Sequence, residues 1–253
     1  MIQKITASER DKEKFSLLKV DPESQKDDFF DYSKVVIKKP WGHEYLIYRN
    51  NEVAVWVLHI NNGYQTSMHC HPNKKTSIIS LAGEAQCSTL ADEHTLKPGQ
   101  GLFLGKGVFH STMALSPEGI LIMETETPTN KKDLVRLYDN YGRRGMGYEG
   151  QEHHLDFNDS ELNSFHKEEE RYLKEKKFGD CEVLMIRHHD AEDFKNTLVS
   201  LGGNIAAVLS GGLLNSKKES ILEVGDVVSF QDIKNIEDVT LEEPIELLLI
   251  KKI

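Results

Sequence analysis

The chain changes character near residue 35. Before it, Lys, Asp, Glu and Ser predominate, with Phe15, Leu17, Leu18, Phe29 and Phe30 scattered among them. That pattern predicts a helical or irregular arm over 1–34, packed on the outside. From Val35 onward, short β-branched and aromatic runs follow one another: VVIKK, EYLIYRN, EVAVWVLHI, TSIISLAGEAQCSTLA, QGLFL and GILIMETE. Gly, Pro and Asn separate them, so they read as a succession of strands. With no long helical period between them, such strands predict an all-β antiparallel sandwich or jelly roll.

Residues 131–158 are polar and Gly-rich and predict a crossover and linker, dividing a first β domain (35–150) from a second (151–253). The charged run DSELNSFHKEEERYLKEKKFGD predicts a short helix before strands resume at EVLMIRHH. The second half then echoes the first. LAGEA followed by KPGQGLFL has its counterpart in LSGGL followed by EVGDVVSF, the pattern of two diverged copies of one β fold.

Composition narrows the classes. Of the 253 residues, 38% are hydrophobic and 28% charged, which excludes global disorder. A formal net charge of −10 argues against a general nucleic-acid binder, which needs basic side chains gathered on one face. The three cysteines, Cys70, Cys87 and Cys181, have no CxxC spacing, so they predict neither a disulfide framework nor a cysteine zinc site and fit a reducing cytoplasm. No apolar run approaches the roughly 20 residues that span a bilayer, and the charged N-terminus has no secretory pattern. A soluble cytoplasmic protein is expected.

The chemistry gathers in GYQTSMHCHPNKKTSIISLAG. His69 and His71 are two apart on a predicted strand, so both face one side, about 7 Å apart along the backbone, within reach of one metal ion. His110 follows 39 residues after His71. The Gly-rich turn before it would return a neighbouring strand beside the first. Three neutral imidazoles leave an ion open positions, as in a catalytic site. In a chain with 11 histidines HxH alone is a weak signal. The frame adds to it: Gly63, HxH, Thr76, Gly83, then Gly99, Gly107 and His110 have the spacing of the two cupin motifs. The ion implied is divalent: Zn, Mn, Ni or Fe.

From Lys39 to Arg143 the sequence resembles the cupin domain of type II phosphomannose isomerases, the domain often fused to mannose-1-phosphate guanylyltransferase. KPWGHEYLI, SMHCH, the Gly83 turn, GVFHSTMA and METETPTNKKDLVRLYDNYGR carry the resemblance, DLVRLYDNYGR being the most specific piece. It implies a double-stranded β-helix and a metal-dependent aldose–ketose isomerase acting on a hexose 6-phosphate. The sequence departs from the pattern at Thr76, where cupins place a Glu ligand, and at Gly105, where a Pro is usual; two extra residues also lie between His71 and Gly83. Glu124 and Glu126, sharing one face of METETP, are the candidates to replace the lost carboxylate.

Isomerisation through an enediol needs a base, for which Glu126, Glu124 and His59 are candidates. For a phosphate, Arg136, Arg143 and Arg144 offer planar donors, with Lys74, Lys75 and Lys106 near the predicted mouth. Cys70, between the two ligands, is expected to point away into packing. Trp41 is expected to anchor the first strand to the barrel or to a partner subunit. Aligning Leu96 with Leu222 puts Lys195 and Thr197 where His69 and His71 stand, and Ile236 where His110 stands. The expected architecture is therefore a bicupin with one live and one degenerate, metal-free barrel, the latter serving packing, the contacts of a homodimer or a lid. Two other functions fit the same sequence: a non-catalytic module binding a sugar or anion, and a mononuclear iron dioxygenase.

Overall fold

The computed structural model describes residues 2–18, 30–148, 154–156, 163–165, 173–236, 238–242 and 244–253. The first half forms two facing sheets. The larger has eight strands in the order β1-β9-β6-β11-β4-β3-β2-β13. These are β1 (Ile2–Ile5), β2 (Val35–Lys39), β3 (Gly42–Arg49), β4 (Ala54–Ile60), β6 (Lys75–Ala82), β9 (Gly101–Leu104), β11 (Ile120–Thr127) and β13 (His154–Asp156). The smaller runs β12-β5-β10-β7-β8: β5 (Met68–Cys70), β7 (Ala85–Thr89), β8 (Glu93–Leu96), β10 (His110–Ala114) and β12 (Val135–Tyr138). All pairs are antiparallel except β1 on β9. The result is the double-stranded β-helix expected from the strand pattern.

Trp56, Leu58, Ile60, Ile78, Leu102, Leu104 and Ile122 on the larger sheet close the barrel core against Ala85, Cys87 and Ala114 on the smaller. The alternate residues of the same strands do not meet water. Val55, Val57, Ile79, Leu81, Phe103 and Met123 share a second core with Val183, Met185, Ile205, Ala207, Leu248 and Ile250 from the second half. A sheet covered on both faces needs apolar residues at odd and even positions alike, which is why AVWVLHI and SIISLA read as unbroken runs. The smaller sheet is covered outside by α1 (Glu9–Ser16), whose Phe15 packs on Cys70, Phe109 and Val135. The arm thus both extends the larger sheet through β1 and covers the smaller.

In the second half, β14 (Leu173–Phe178), β15 (Cys181–His188), β21 (Ile245–Lys252), β16 (Ile205–Ser210) and β19 (Val227–Ser229) lie in that order. It is the order that β3, β4, β11, β6 and β9 hold in the first half. Likewise β18 (Ser220–Leu222), β17 (Leu213–Leu214) and β20 (Thr240–Leu241) repeat the order of β8, β7 and β10. The turns repeat too. Gly83 and Gly211 follow β6 and β16 at φ +71° and +67°, where an added Cβ would meet a carbonyl oxygen at 2.6 Å in each.

The two halves differ where chemistry would sit. Between β15 and β16, where the first half has β5, stands α2 (Ala191–Ser200). Lys195 and Thr197, aligned to a strand from sequence, are therefore on a helix, and Ile236 follows a second short helix, α3 (Phe230–Lys234). Asp190 caps α2 by accepting from the amides of Glu192 and Asp193 at 3.0 and 2.9 Å. One turn apart, Phe194 and Leu198 fill the space between the two small sheets with Val208, Leu213, Leu247 and Leu249.

Two other expectations change. Residues 131–148 are not a linker: they carry β12 and bury Lys131, Asp133, Arg136 and Arg143 in the barrel wall. The end of the run expected to be helical is strand β14; residues 157–162 and 166–172 lie outside the described residues. Among the described residues, no helix is long and apolar enough to cross a membrane.

Candidate metal centre

The structure brings His69, His71 and His110 together inside the first barrel. His69 on β5 and His110 on β10 are register partners, and Arg136 on β12 pairs with His69 from the other side. Ring centroids lie 4.4 Å (His69–His110), 5.0 Å (His69–His71) and 5.5 Å (His71–His110) apart. One nitrogen from each falls within 4.8 Å of the others. Cys70, between them on the strand, points to the opposite face, as alternation requires.

Each ring is oriented by a backbone carbonyl. His69 Nδ1 donates to Ser67 O at 2.8 Å, His71 Nδ1 to Asp133 O at 2.5 Å and His110 Nδ1 to Val108 O at 2.9 Å. A carbonyl only accepts, so each Nδ1 carries the proton and each Nε2 keeps its lone pair. The Nε2 atoms of His71 and His110 are buried without a hydrogen-bond partner. Burial holds His69 and His71 well below the usual histidine range and lowers His110 to about 4, so all three are neutral near pH 7. Neutral rings with fixed tautomers and converging, unsatisfied lone pairs are what a divalent ion requires.

The loops that hold this arrangement are tied from several sides. Gly107 N donates to His71 O at 2.9 Å, and Phe109 N donates to Asp11 of α1 at 3.0 Å, fixing the turn before His110. Asp133 matters most. Its carboxylate accepts from Asn73 N, Asn73 Nδ2 and Lys74 N, each at 2.9 Å, while its carbonyl orients His71. Sequence reasoning missed this residue, although it opens the distinctive string DLVRLYDNYGR. We expect Asp133→Ala to weaken Zn2+ binding roughly 10- to 100-fold, the usual loss when an outer partner of a ligand is removed; competition titration measures it.

Beside the histidines lies a buried ionic wall. Lys74 Nζ contacts Glu126 Oε1 at 2.9 Å, and Lys131 bridges Glu126 (3.4 Å) and Glu44 (3.6 Å). Lys39 reaches Glu44 at 3.7 Å, and the Tyr148 hydroxyl donates to Glu44. Lys131 lies 3.9 Å from the ring centroid of Trp56, and Lys39 the same distance from Tyr148. Glu124 lines the same cavity. Burial, and then the charge of Glu126, push its carboxyl up to about 7.

The other candidates sort plainly. Arg136 and Arg143 line the cavity, Arg136 donating to Met146 O and Gly147 O and Arg143 paired with Asp139 at 2.7 Å. Trp41 lines it as well and is packed in the barrel core with Trp56, Leu58 and Ile60. His59 does not reach it. Trp56, Leu58 and Ile60 face the barrel, so alternation turns His59 to the other side of β4, where its ring lies 5.1 Å from His43. Lys75 also points outward, bonded to Glu223 at 2.9 Å and Asp226 at 3.5 Å in the second half. Lys106 and Arg144 are exposed on turns outside the cavity. The buried partners Glu44, Lys39, Lys131 and Tyr148 gave no sign in the sequence, since isolated charged residues in a strand pattern read as solvated.

No protein-family model matches the sequence, and no curated protein matches it. Among solved structures, the chain is similar to KdgF from Halomonas sp., at 14% identity over 36% of this chain and 82% of that one, with a TM-score of 0.34. It is also similar to the capsular polysaccharide assembling protein CapF from Staphylococcus aureus: 15% identity over 44% of this chain and 33% of that one, TM-score 0.38. A third is an RmlC-like cupin from Shewanella frigidimarina: 17% identity, 42% of this chain and 96% of that one, TM-score 0.36. Likenesses this distant carry no argument about activity.

Proposed function

We propose that the first barrel is a metal-dependent isomerase that moves a proton between adjacent carbons of a small aldose or ketose. The observation that carries this reading is a cavity lined both by three neutral, preoriented imidazoles and by Glu124, a carboxyl raised to about 7. His69, His71 and His110 would hold a divalent ion through Nε2, and the ion when bound supplies Lewis-acid polarisation of substrate oxygens.

The chain's own groups supply the rest. A carboxyl with a pKa near 7 both takes and returns a proton at neutral pH, which suits Glu124 to the carbon-to-carbon transfer. Lys74 and Lys131 both contact Oε1 of Glu126, at 2.9 and 3.4 Å. Trp41, Leu58, Ile78 and Ile122 give the cavity an apolar wall that limits water. Arg136 and Arg143 favour an anionic substrate, and the resemblance to type II phosphomannose isomerases supports a sugar phosphate. The cavity is about 50 Å3, room for an ion and a few waters, so a hexose phosphate must displace side chains at the mouth.

The test is exchange of the C2 proton of hexose 6-phosphates with deuterated water, followed by NMR on metal-loaded protein. Exchange is expected, and Glu124→Gln is expected to slow it by roughly 100- to 10,000-fold. Oxygen uptake by the iron-loaded protein without exchange would replace this reading with the dioxygenase. Binding of the sugar with neither reaction would leave a sensor.

A further inference from the structure

Thr76 stands where the barrel pattern calls for a carboxylate ligand, and its hydroxyl is buried without a hydrogen-bond partner. Across the ladder, Thr76 on β6 is the direct register partner of Glu126 on β11. Directly paired residues of an antiparallel ladder place their Cβ atoms about 4.5–5.5 Å apart on the same face. A carboxylate carried by either therefore serves the same volume of the barrel. Glu126 is 1% exposed and, with His71 and Glu124, offers donor atoms within 4.8 Å of one another, a set distinct from the three histidines that shares His71 with them.

The two oxygens of Glu126 are not alike. Oε1 is held by Lys74 at 2.9 Å and by Lys131 at 3.4 Å, while Oε2 is buried with no partner. A buried carboxylate oxygen left bare costs free energy unless something positive faces it. The two lysines fix the carboxylate and leave one oxygen turned to another ligand.

We infer that Glu126 is the fourth protein ligand of the ion held by His69, His71 and His110, the carboxylate having moved from β6 to its register partner on β11. Lys74 and Lys131 are positioning residues that make Glu126 a one-oxygen ligand. Glu124, one pleat along the strand, is left for proton transfer. This inference rests on the metal-centre reading above and extends it to one named oxygen.

The experiment uses the full chain, stripped with a chelator and titrated with Co2+, whose visible absorption reports the donor set. The wild type is expected to take up one Co2+ per chain. Glu126→Gln is expected to weaken binding about 100-fold and to alter the visible bands, while Glu124→Gln changes affinity by less than about 3-fold. The register exchange, Thr76→Glu together with Glu126→Thr, is expected to recover affinity to within about 10-fold of the wild type. Circular dichroism and urea midpoints on each variant separate loss of the ligand from loss of the fold. Wild-type affinity in Glu126→Gln, an equal loss in Glu124→Gln, or a folded register exchange with no recovery overturns the assignment. If His110→Ala loses Co2+ while Glu126→Gln keeps it, only this inference fails; if the wild type takes up none, the metal centre fails with it.

Discussion

Replacing His110 with alanine is expected to lower the affinity for Zn2+ by about a thousandfold while leaving the barrel folded. The ring contributes one of a few donor atoms, and binding energies of about 10–16 kcal/mol shared among four ligands leave about 2.5–4 kcal/mol for each, the upper end of which is a thousandfold loss. His69 and His71 are already oriented by Ser67 and Asp133 and each has a single Nε2 to give. The same loss is expected for His69→Ala. Thr76→Ala is expected to change affinity little, since that hydroxyl lies on the emptied side of the ladder. Competition with a chromogenic chelator gives all three values, and equal losses at 76 and 110 would mean the centre is elsewhere.

The second large effect concerns stability. Lys131→Ala is expected to destabilise the protein by about 3–5 kcal/mol, read as a lower urea midpoint, because it leaves Glu44 and Glu126 buried without the cation that joins them. It also removes a cation from the face of Trp56. Lys131→Met combined with Glu44→Gln is expected to recover only part of that loss, since the neutral pair removes the stranded Glu44 charge while Lys39 gives up its carboxylate partner. A single variant as stable as the wild type would show that the wall admits water and that its charges are screened.

The barrel was legible because its strands obey a short rule. Gly83 and Gly99 punctuate runs such as SIISLA and GLFL, and those runs became strands β6 and β9. The histidine set was legible because two imidazoles at period 2 share a face whatever the rest of the fold does. What the sequence hid was polar and buried. Asp133, Lys131 and Tyr148 lie in a stretch that reads as linker, yet each is enclosed because its charge or hydroxyl meets a partner from β3, β6 or β11, or from the loop after His71. Partners of that kind are distant in the chain, and no local pattern announces them. His59 and Lys75 show the converse error. Both neighbour cavity residues in sequence, but the pleat turns them to the outer face, where His59 stacks on His43 and Lys75 meets Glu223 of the second half. Helix α2 was missed for a related reason. Phe194 and Leu198 match a strand as readily as a helix, and the deciding signal was the Asp190 cap.

The outward side of the eight-stranded sheet is sealed by the other half of the same molecule, and this limits how the protein can be taken apart. Expressed without residues beyond 156, the first half would offer Ile47, Val55, Ile79, Leu81 and Met123 to solvent as one broad sticky plane, an invitation to self-association. The second half thereby covers a plane that the first cannot leave bare, and neither half is a unit that engineering could borrow alone.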